Sequence, residues 1–222
     1  YYSSSSSAFY AFVTGTDGRL EQWRLTAADG LTGTRVRQFR LDGKSEGCVA
    51  DDETAVVYIA EENRGVWAFA AEPDAGTTGE LIIPIRFPGP LRADVEGLAL
   101  YCAADSRGYL LVSSQGNSRF AVFSRRPPYR YLGSFRIAGG TVDGVSGTDG
   151  IDVANVGLGR PFERGLFVAQ DDRNDDGNQN FKLVRWDDIA GAFDPPLMNT
   201  PDHRTRAGET AADEGKVGDR SR

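Results

Sequence analysis

Histidine, methionine, cysteine and long apolar runs are nearly missing from this sequence, and each shortage excludes something. His203 is the single histidine among 222 residues. It falls in a polar C-terminal stretch, which removes histidine-based nucleophiles, general bases and zinc sites together. Met198 is the only methionine and the chain opens at Tyr1, so part of a longer translated frame is expected, with any signal peptide outside it. Nothing places the two cysteines, Cys48 and Cys102, close together, and they read as two buried thiols rather than one exported disulfide. The longest apolar stretches, 97–104 and 81–85, fall well short of the ~20 residues that a membrane-spanning helix needs. Positive charge is scarce as well: 25 Lys+Arg stand against 32 Asp+Glu, a formal net charge of −7. Such a chain lacks the field that nucleic acid or an anionic membrane requires, so neither is expected as a partner.

What is present is a repeat. The composition, with 40% apolar residues and 27 glycines, is that of a globular, loop-rich chain. An apolar strand, a short polar turn and a second apolar-aromatic strand recur from Tyr10 (YAFVTGTDGRLEQW), Tyr58 (YIAEENRGVWAF), Tyr109 (YLLVSSQGNSRFAVF) and Leu166 (LFVAQDDRN…NFKLV). An acid followed by glycine precedes three of the four copies, as Glu46-Gly47, Glu96-Gly97 and Asp149-Gly150. Residues 35–41 and 131–137 alternate in the same manner and add a strand. Helical character enters only near Trp186, in WDDIAGAF. A period of about 50 residues with about four strands per unit predicts an all-β chain of β-propeller blades.

The first copy lacks an acid-glycine strand, and about four units do not make a comfortable ring. Residues 1–195 are therefore expected to be about four blades of a larger propeller, with its N-terminal blades outside the chain. Residues 196–222 are expected to be a polar tail. Ser3–Ser7 reads as a low-complexity loop, and Arg125-Arg126 before two prolines as an exposed hairpin. The aromatics Trp67, Phe69, Phe120, Phe123, Phe181 and Trp186 read as filling between blades rather than a sugar-stacking platform.

Function should lie where the acids fall. Glu46, Glu96 and Asp149 occupy one repeat position, so on stacked blades they share one radius and height. Glu61, Glu62, Gln115, Asp171 and Asn174 lie in the turn after the next strand. Asp94 falls two residues before Glu96, on the same face of a strand, and Asp143 precedes Asp149 in a glycine-rich loop. Acid-glycine pairs are also ordinary turn residues, but recurrence at matched positions favours a shared site. Clustered carboxylates repel and raise one another's pKa, and hard cations relieve that. Oxygen-only ligands without histidine or thiolate favour Ca²⁺ over Mg²⁺ or Mn²⁺. The stretch Asp172, Asn174, Asp176, Gly177 begins like an EF-hand loop, but Leu183 stands where the closing Glu should be and no helices are predicted beside it, which excludes an EF-hand and leaves a local calcium loop open.

Four long segments, SEGCVADDETAVVYIAEENRGVWAFAAEP, DVEGLALYCAADSRGYLLVSSQGNSRFAVF, TDGIDVANVGLG and LFVAQDDRN…NQNFKLVRWDDIA, resemble the β-propeller phytases. These are calcium-dependent phosphatases acting on myo-inositol hexakisphosphate (phytate). The resemblance runs almost continuously from about residue 10 to 190. It implies a six-bladed propeller, secreted or periplasmic, monomeric when complete, hydrolysing calcium phytate at one end of its channel. By resemblance, Glu46, Glu62, Asp94, Glu96 and Asp149 carry catalysis by holding several calcium ions. Gln115 serves as ligand and substrate contact, and Asp143, Asp171 and Asn174 surround a stabilising calcium site. The chain departs from the family at Thr16, where many members carry a phosphate-contacting lysine; Lys44 is the candidate replacement. Two other functions fit the repeat alone: a non-catalytic, calcium-stiffened binding platform, and a different propeller hydrolase such as a calcium-dependent lactonase.

Overall fold

The computed structural model describes residues 1–175 and 177–202. It is built of four antiparallel sheets in chain order. The first comprises β1 (Tyr2–Ser3), β2 (Ala8–Thr14), β3 (Arg19–Ala27) and β4 (Leu31–Arg40). The second comprises β5 (Ser45–Asp51), β6 (Val56–Glu61), β7 (Gly65–Ala70) and β8 (Gly79–Pro84). The third comprises β9 (Val95–Ala103), β10 (Arg107–Ser114), β11 (Arg119–Ser124) and β12 (Tyr131–Phe135). The fourth has β13 (Ile151–Ala154), β14 (Leu166–Asp171) and β15 (Asn180–Arg185), followed by the short helix α1 (Trp186–Gly191). The four predicted strand–turn–strand repeats are the hairpins β2–β3, β6–β7, β10–β11 and β14–β15.

Period-two alternation explains how the sheets stack. On β6, Val57 and Ile59 join Leu20, Phe39 and Leu41 of the first sheet's side. Their neighbours Tyr58 and Ala60 join Leu98, Leu100 and Cys102 of β9. The opposite face of β9, with Ala99, Tyr101 and Ala103, packs with Phe167 and Ala169 of the fourth sheet and with Trp186 of α1. Each inner sheet is therefore covered twice, which is why β9 is buried at every position and reads as a continuous apolar run.

The acid-glycine pairs mark where inner strands meet. A Cβ built on Gly47 would lie 2.1 Å from the Glu96 carbonyl oxygen, and one on Gly97 would lie 2.7 Å from that of Asp149. Only glycine permits backbones that close. The three acids are thereby set on successive sheets.

Several expectations are corrected. Arg125 is fully buried rather than exposed: its Nε donates to Asp51 Oδ2 at 2.6 Å, its Nη2 pairs with Asp51 Oδ1, and the same nitrogen lies 2.6 Å from Glu53 Oε2. Arg126 is exposed as expected. Phe181 is 68% exposed, because β15 turns it away from the third sheet. Trp67 is half-buried, donating Nε1–H to Glu61 at 2.7 Å, while Phe69, Phe120, Phe123 and Trp186 are buried. Ser3 belongs to β1 and is buried, with its hydroxyl 2.9 Å from Glu72 Oε2. Cys48 and Cys102 are not joined by a disulfide, as expected, but only Cys102 is fully buried. Within the stretch expected as a tail, Leu197 is buried and Thr200 N–H donates to Tyr101 Oη at 2.8 Å. Residues 203–222, His203 included, lie outside the described residues.

Candidate active site

Backbone bonds fix the acids at one end of the sheets. Glu62, just past β6, donates its N–H to the Lys44 carbonyl and accepts from Val95 N–H, both at 3.0 Å. This ties the lead-in to β5, the end of β6 and the start of β9 at one point. Glu46, Glu62 and Glu96 then place one carboxylate oxygen each within 4.8 Å of the others. Glu62 and Glu96 are buried and Glu46 is exposed. The Lys44 ammonium lies 2.5 Å from Glu62 Oε1 and 3.3 Å from Glu46 Oε2.

The electrostatics are those of an excess of negative charge. Burial, together with the Glu46 and Glu62 carboxylates, pushes the Glu96 pKa up to about 8 against the opposing pull of Lys44. Burial and the charges of Glu46 and Asp172 also raise Asp149. The Glu62 carboxylate in turn holds Lys44 above the ordinary lysine range. One ammonium does not balance three carboxylates, and Glu96 Oε2 is buried without a hydrogen-bond partner among the described residues. An all-oxygen donor set with an orphaned buried oxygen fits a hard divalent cation.

Asp149 lies beside this cluster, two residues before β13. Gln115, in a 3₁₀ turn over Gln115–Asn117, donates Nε2–H to Asp149 Oδ1 at 2.6 Å. Gln170 Oε1 accepts from Asp149 N–H at 2.9 Å. Asp94 stands outside the three-carboxylate group; its carbonyl accepts from Gln115 N–H at 2.9 Å. Glu61 also turns elsewhere, accepting from Gly43 N–H at 2.7 Å as well as from Trp67.

Asp143, Asp171 and Asn174 converge too, around the Lys182 ammonium. Its Nζ lies 2.7 Å from Asp143 Oδ1, 3.1 Å from Asp171 Oδ2 and 2.7 Å from Asn174 Oδ1, with Asn180 Oδ1 at 2.9 Å. Ser146 N–H donates to Asp171 Oδ1 at 3.0 Å. The Lys182 contact holds Asp143 below the usual carboxylate range despite some desolvation. The EF-hand-like stretch joins strands β14 and β15, and its Asp176 lies outside the described residues.

Residues 1–206 match the family model described as Phytase. The chain belongs to the phytase family. It is 46% identical over 200 residues to the 3-phytase of Bacillus subtilis (strain 168), an alignment covering 86% of this chain and 51% of that protein. This phytase-family chain thus spans about half the length of that curated relative. No helix among its described residues is long and apolar enough to cross a membrane.

Sequence reasoning did not single out Lys182 or Gln170 at this candidate site, and met Asp172 only as the start of the EF-hand-like stretch. Lys182 stands between Phe181 and Leu183 on β15, so a pattern that turns apolar residues inward would have put it outside; only the exposure of those two neighbours shows that the lysine faces in. Gln170 and Asp172 flank Asp171 at the end of β14, where residue type alone distinguishes nothing.

Proposed function

We propose that the protein hydrolyses phosphomonoesters of phytate, releasing inorganic phosphate and lower inositol phosphates, with calcium bound by the acidic cluster. The observation that carries this is the convergence of Glu46, Glu62 and Glu96 within 4.8 Å, with a buried Glu96 oxygen unpartnered, in a chain of the phytase family. Glu46, Glu62 and Glu96 are the residues to hold the metal, with Asp149, Asp94 and Gln115 extending the donor set along the next sheet. Bound calcium would reverse the local sign, polarise phosphate oxygens and lower the pKa of a water.

The chain's own groups supply position and charge. Gln115 and Gln170 hold Asp149 through its carboxylate and its backbone N–H, so that acid is oriented before ligand arrives. Lys44 is 42% exposed at the side chain, with its ammonium free to turn from Glu62 toward a phosphate oxygen. The buried Glu96 holds a proton near neutral pH when no metal is present, which limits repulsion in the empty cluster. Asp143, Asp171 and Asn174 form a second oxygen cage whose binding of calcium requires Lys182 to leave it. The four sheets stack as blades of a six-bladed propeller whose remaining blades come from outside this chain, in a secreted or periplasmic monomer.

The test is phosphate release from calcium phytate by the full-length protein. Release should be abolished by EGTA, restored by calcium, and lost in Glu62→Ala. Activity surviving both chelation and that substitution sinks the calcium reading.

A further inference from the structure

We propose that an arginine-lined cleft beside the acidic cluster binds the phosphates of a polyphosphorylated substrate that lie away from the reacting one. The proposal rests on the phosphatase reading above and extends it to residues which neither the repeat nor the acid pattern identified.

The cleft, about 490 Å³ in volume, is lined by Arg119 at the start of β11, Arg136 just after β12 and Arg173 just after β14, with Asn117, Ser118 and Ser146 between them. It runs into a second hollow of about 380 Å³, sharing Ser118, Ser146 and Arg173 with it and reaching Gln115 and Asp149. One continuous depression therefore leads from the proposed catalytic end to three guanidinium groups. Both volumes lie within the range of small-molecule sites.

What distinguishes this cleft is that three arginines without ion pairs gather around one hollow. Some arginines are paired, Arg35 with Glu21, Arg40 with Asp17, Arg125 with Asp51 and Arg185 with Asp187, whereas others such as Arg86 and Arg130 are not among the described residues. Arg119, Arg136 and Arg173 make no ion pair among the described residues and all three are exposed. Two acids share the cleft. Asp143 is already paired with Lys182, which leaves Asp175 alone against three guanidinium groups in this hollow, while Asp149 and Asp172 line the adjoining one toward the acidic cluster. In a chain of net charge −7, three unpaired arginines around one hollow form a local positive field. Guanidinium presents paired N–H donors that match phosphate oxygens. The Asn117 and Ser118 side chains add neutral donors on the same wall.

The position selects the ligand. A free phosphate would need only one such group, whereas the depression spans from Asp149 to Arg136 across the third and fourth sheets. A ring carrying several phosphates can place one ester at the acids and others among the arginines. A substrate with a single phosphate cannot do both.

The experiment uses the full-length protein and the combined Arg119→Gln, Arg136→Gln, Arg173→Gln variant, with thermal melting to confirm folding. Calorimetric titration uses myo-inositol hexasulfate, a polyanion that a phosphatase does not hydrolyse, and separately inorganic phosphate. The variant should bind hexasulfate about tenfold or more weakly, on the scale of several lost charge-assisted contacts. Its preference for phytate over p-nitrophenyl phosphate, as a ratio of kcat/KM values, should fall by a similar factor. Hexasulfate affinity within twofold of the parent overturns the proposal, and so does an unchanged substrate ratio. Loss of inorganic phosphate binding in the same proportion also overturns it, since the cleft would then be a site for free phosphate. If neither ester is hydrolysed by the parent, the phosphatase reading fails, while the hexasulfate titration still decides the cleft.

Discussion

Lys44 and Glu96 show how single side chains set the character of the acidic cluster. The Lys44 ammonium rests on Glu62 and Glu46, so a divalent ion approaching these carboxylates must displace it. Lys44→Met should tighten divalent binding, whereas Glu96→Gln, which removes the buried oxygen lacking a partner, should weaken it by about tenfold or more, in line with the cost of losing charged ligand contacts. Terbium luminescence titration reads both. Equal effects of the two substitutions, or a weaker-binding Lys44→Met, would show that the ammonium assists the metal site instead of competing with it. Much of this was legible in sequence, because Glu46, Glu96 and Asp149 recur beside glycine. Lys182 and the three cleft arginines were not, because a cation's role depends on which distant acids surround it or fail to.

At the scale of strands, the glycine after each acid has a structural reason that differs along the chain. Gly47 and Gly97 face the next inner strand at distances no Cβ tolerates, while a Cβ on Gly150 would meet nothing within 4 Å. Gly47→Ala and Gly97→Ala should each cost about 1–3 kcal/mol or more in denaturant melts, the usual range for forced overpacking. Hairpins were readable beforehand because alternation and turn residues are local signals. Arg125 was misread because its burial depends on Asp51, 74 residues away. That pair joins the end of β5 to the turn after β11, and breaking a buried ion pair costs about 3–5 kcal/mol, the loss expected for Arg125→Gln. Burial pushes the Asp51 pKa up, but the Arg125 hydrogen bonds and charge outweigh it, leaving Asp51 below its ordinary 3.8. A depressed carboxyl pKa stabilises the fold above the unfolded value, and that stability is lost as pH falls below 3.8 through the folded one. Melting temperatures of the parent should therefore drop in that acid window, and those of Arg125→Gln should drop less steeply there; parallel curves would remove Asp51 from the acid response.

On the scale of the whole molecule, the first and fourth sheets differ from the inner two because each has an apolar face turned outward. Phe9 and Val13 on β2 are 52% and 49% exposed, and Phe181 and Leu183 on β15 are 68% and 57% exposed. In both strands the alternate residues pack inward: Phe12 against the core shared with the second sheet, Val184 against the core shared with the third. Exposed apolar faces of this kind mark surfaces that are covered in an assembly, and a six-bladed ring would cover both with further blades. The open space over Gly150 lies where the next inner strand would arrive, as it does over Gly47 and Gly97. Substitution on these faces separates covered from uncovered. In the full-length protein Phe181→Ser should cost about 3–5 kcal/mol, the range for truncating a buried aromatic. In the 222-residue chain by itself it should change stability by no more than about 0.5 kcal/mol, as for a surface site. That shorter chain should also self-associate in sedimentation runs, less so with Phe181→Ser and Leu183→Ser combined. A small effect in both forms would mean that no further blade stacks on β15, and the ring would have to be abandoned even if the acidic cluster binds its metal.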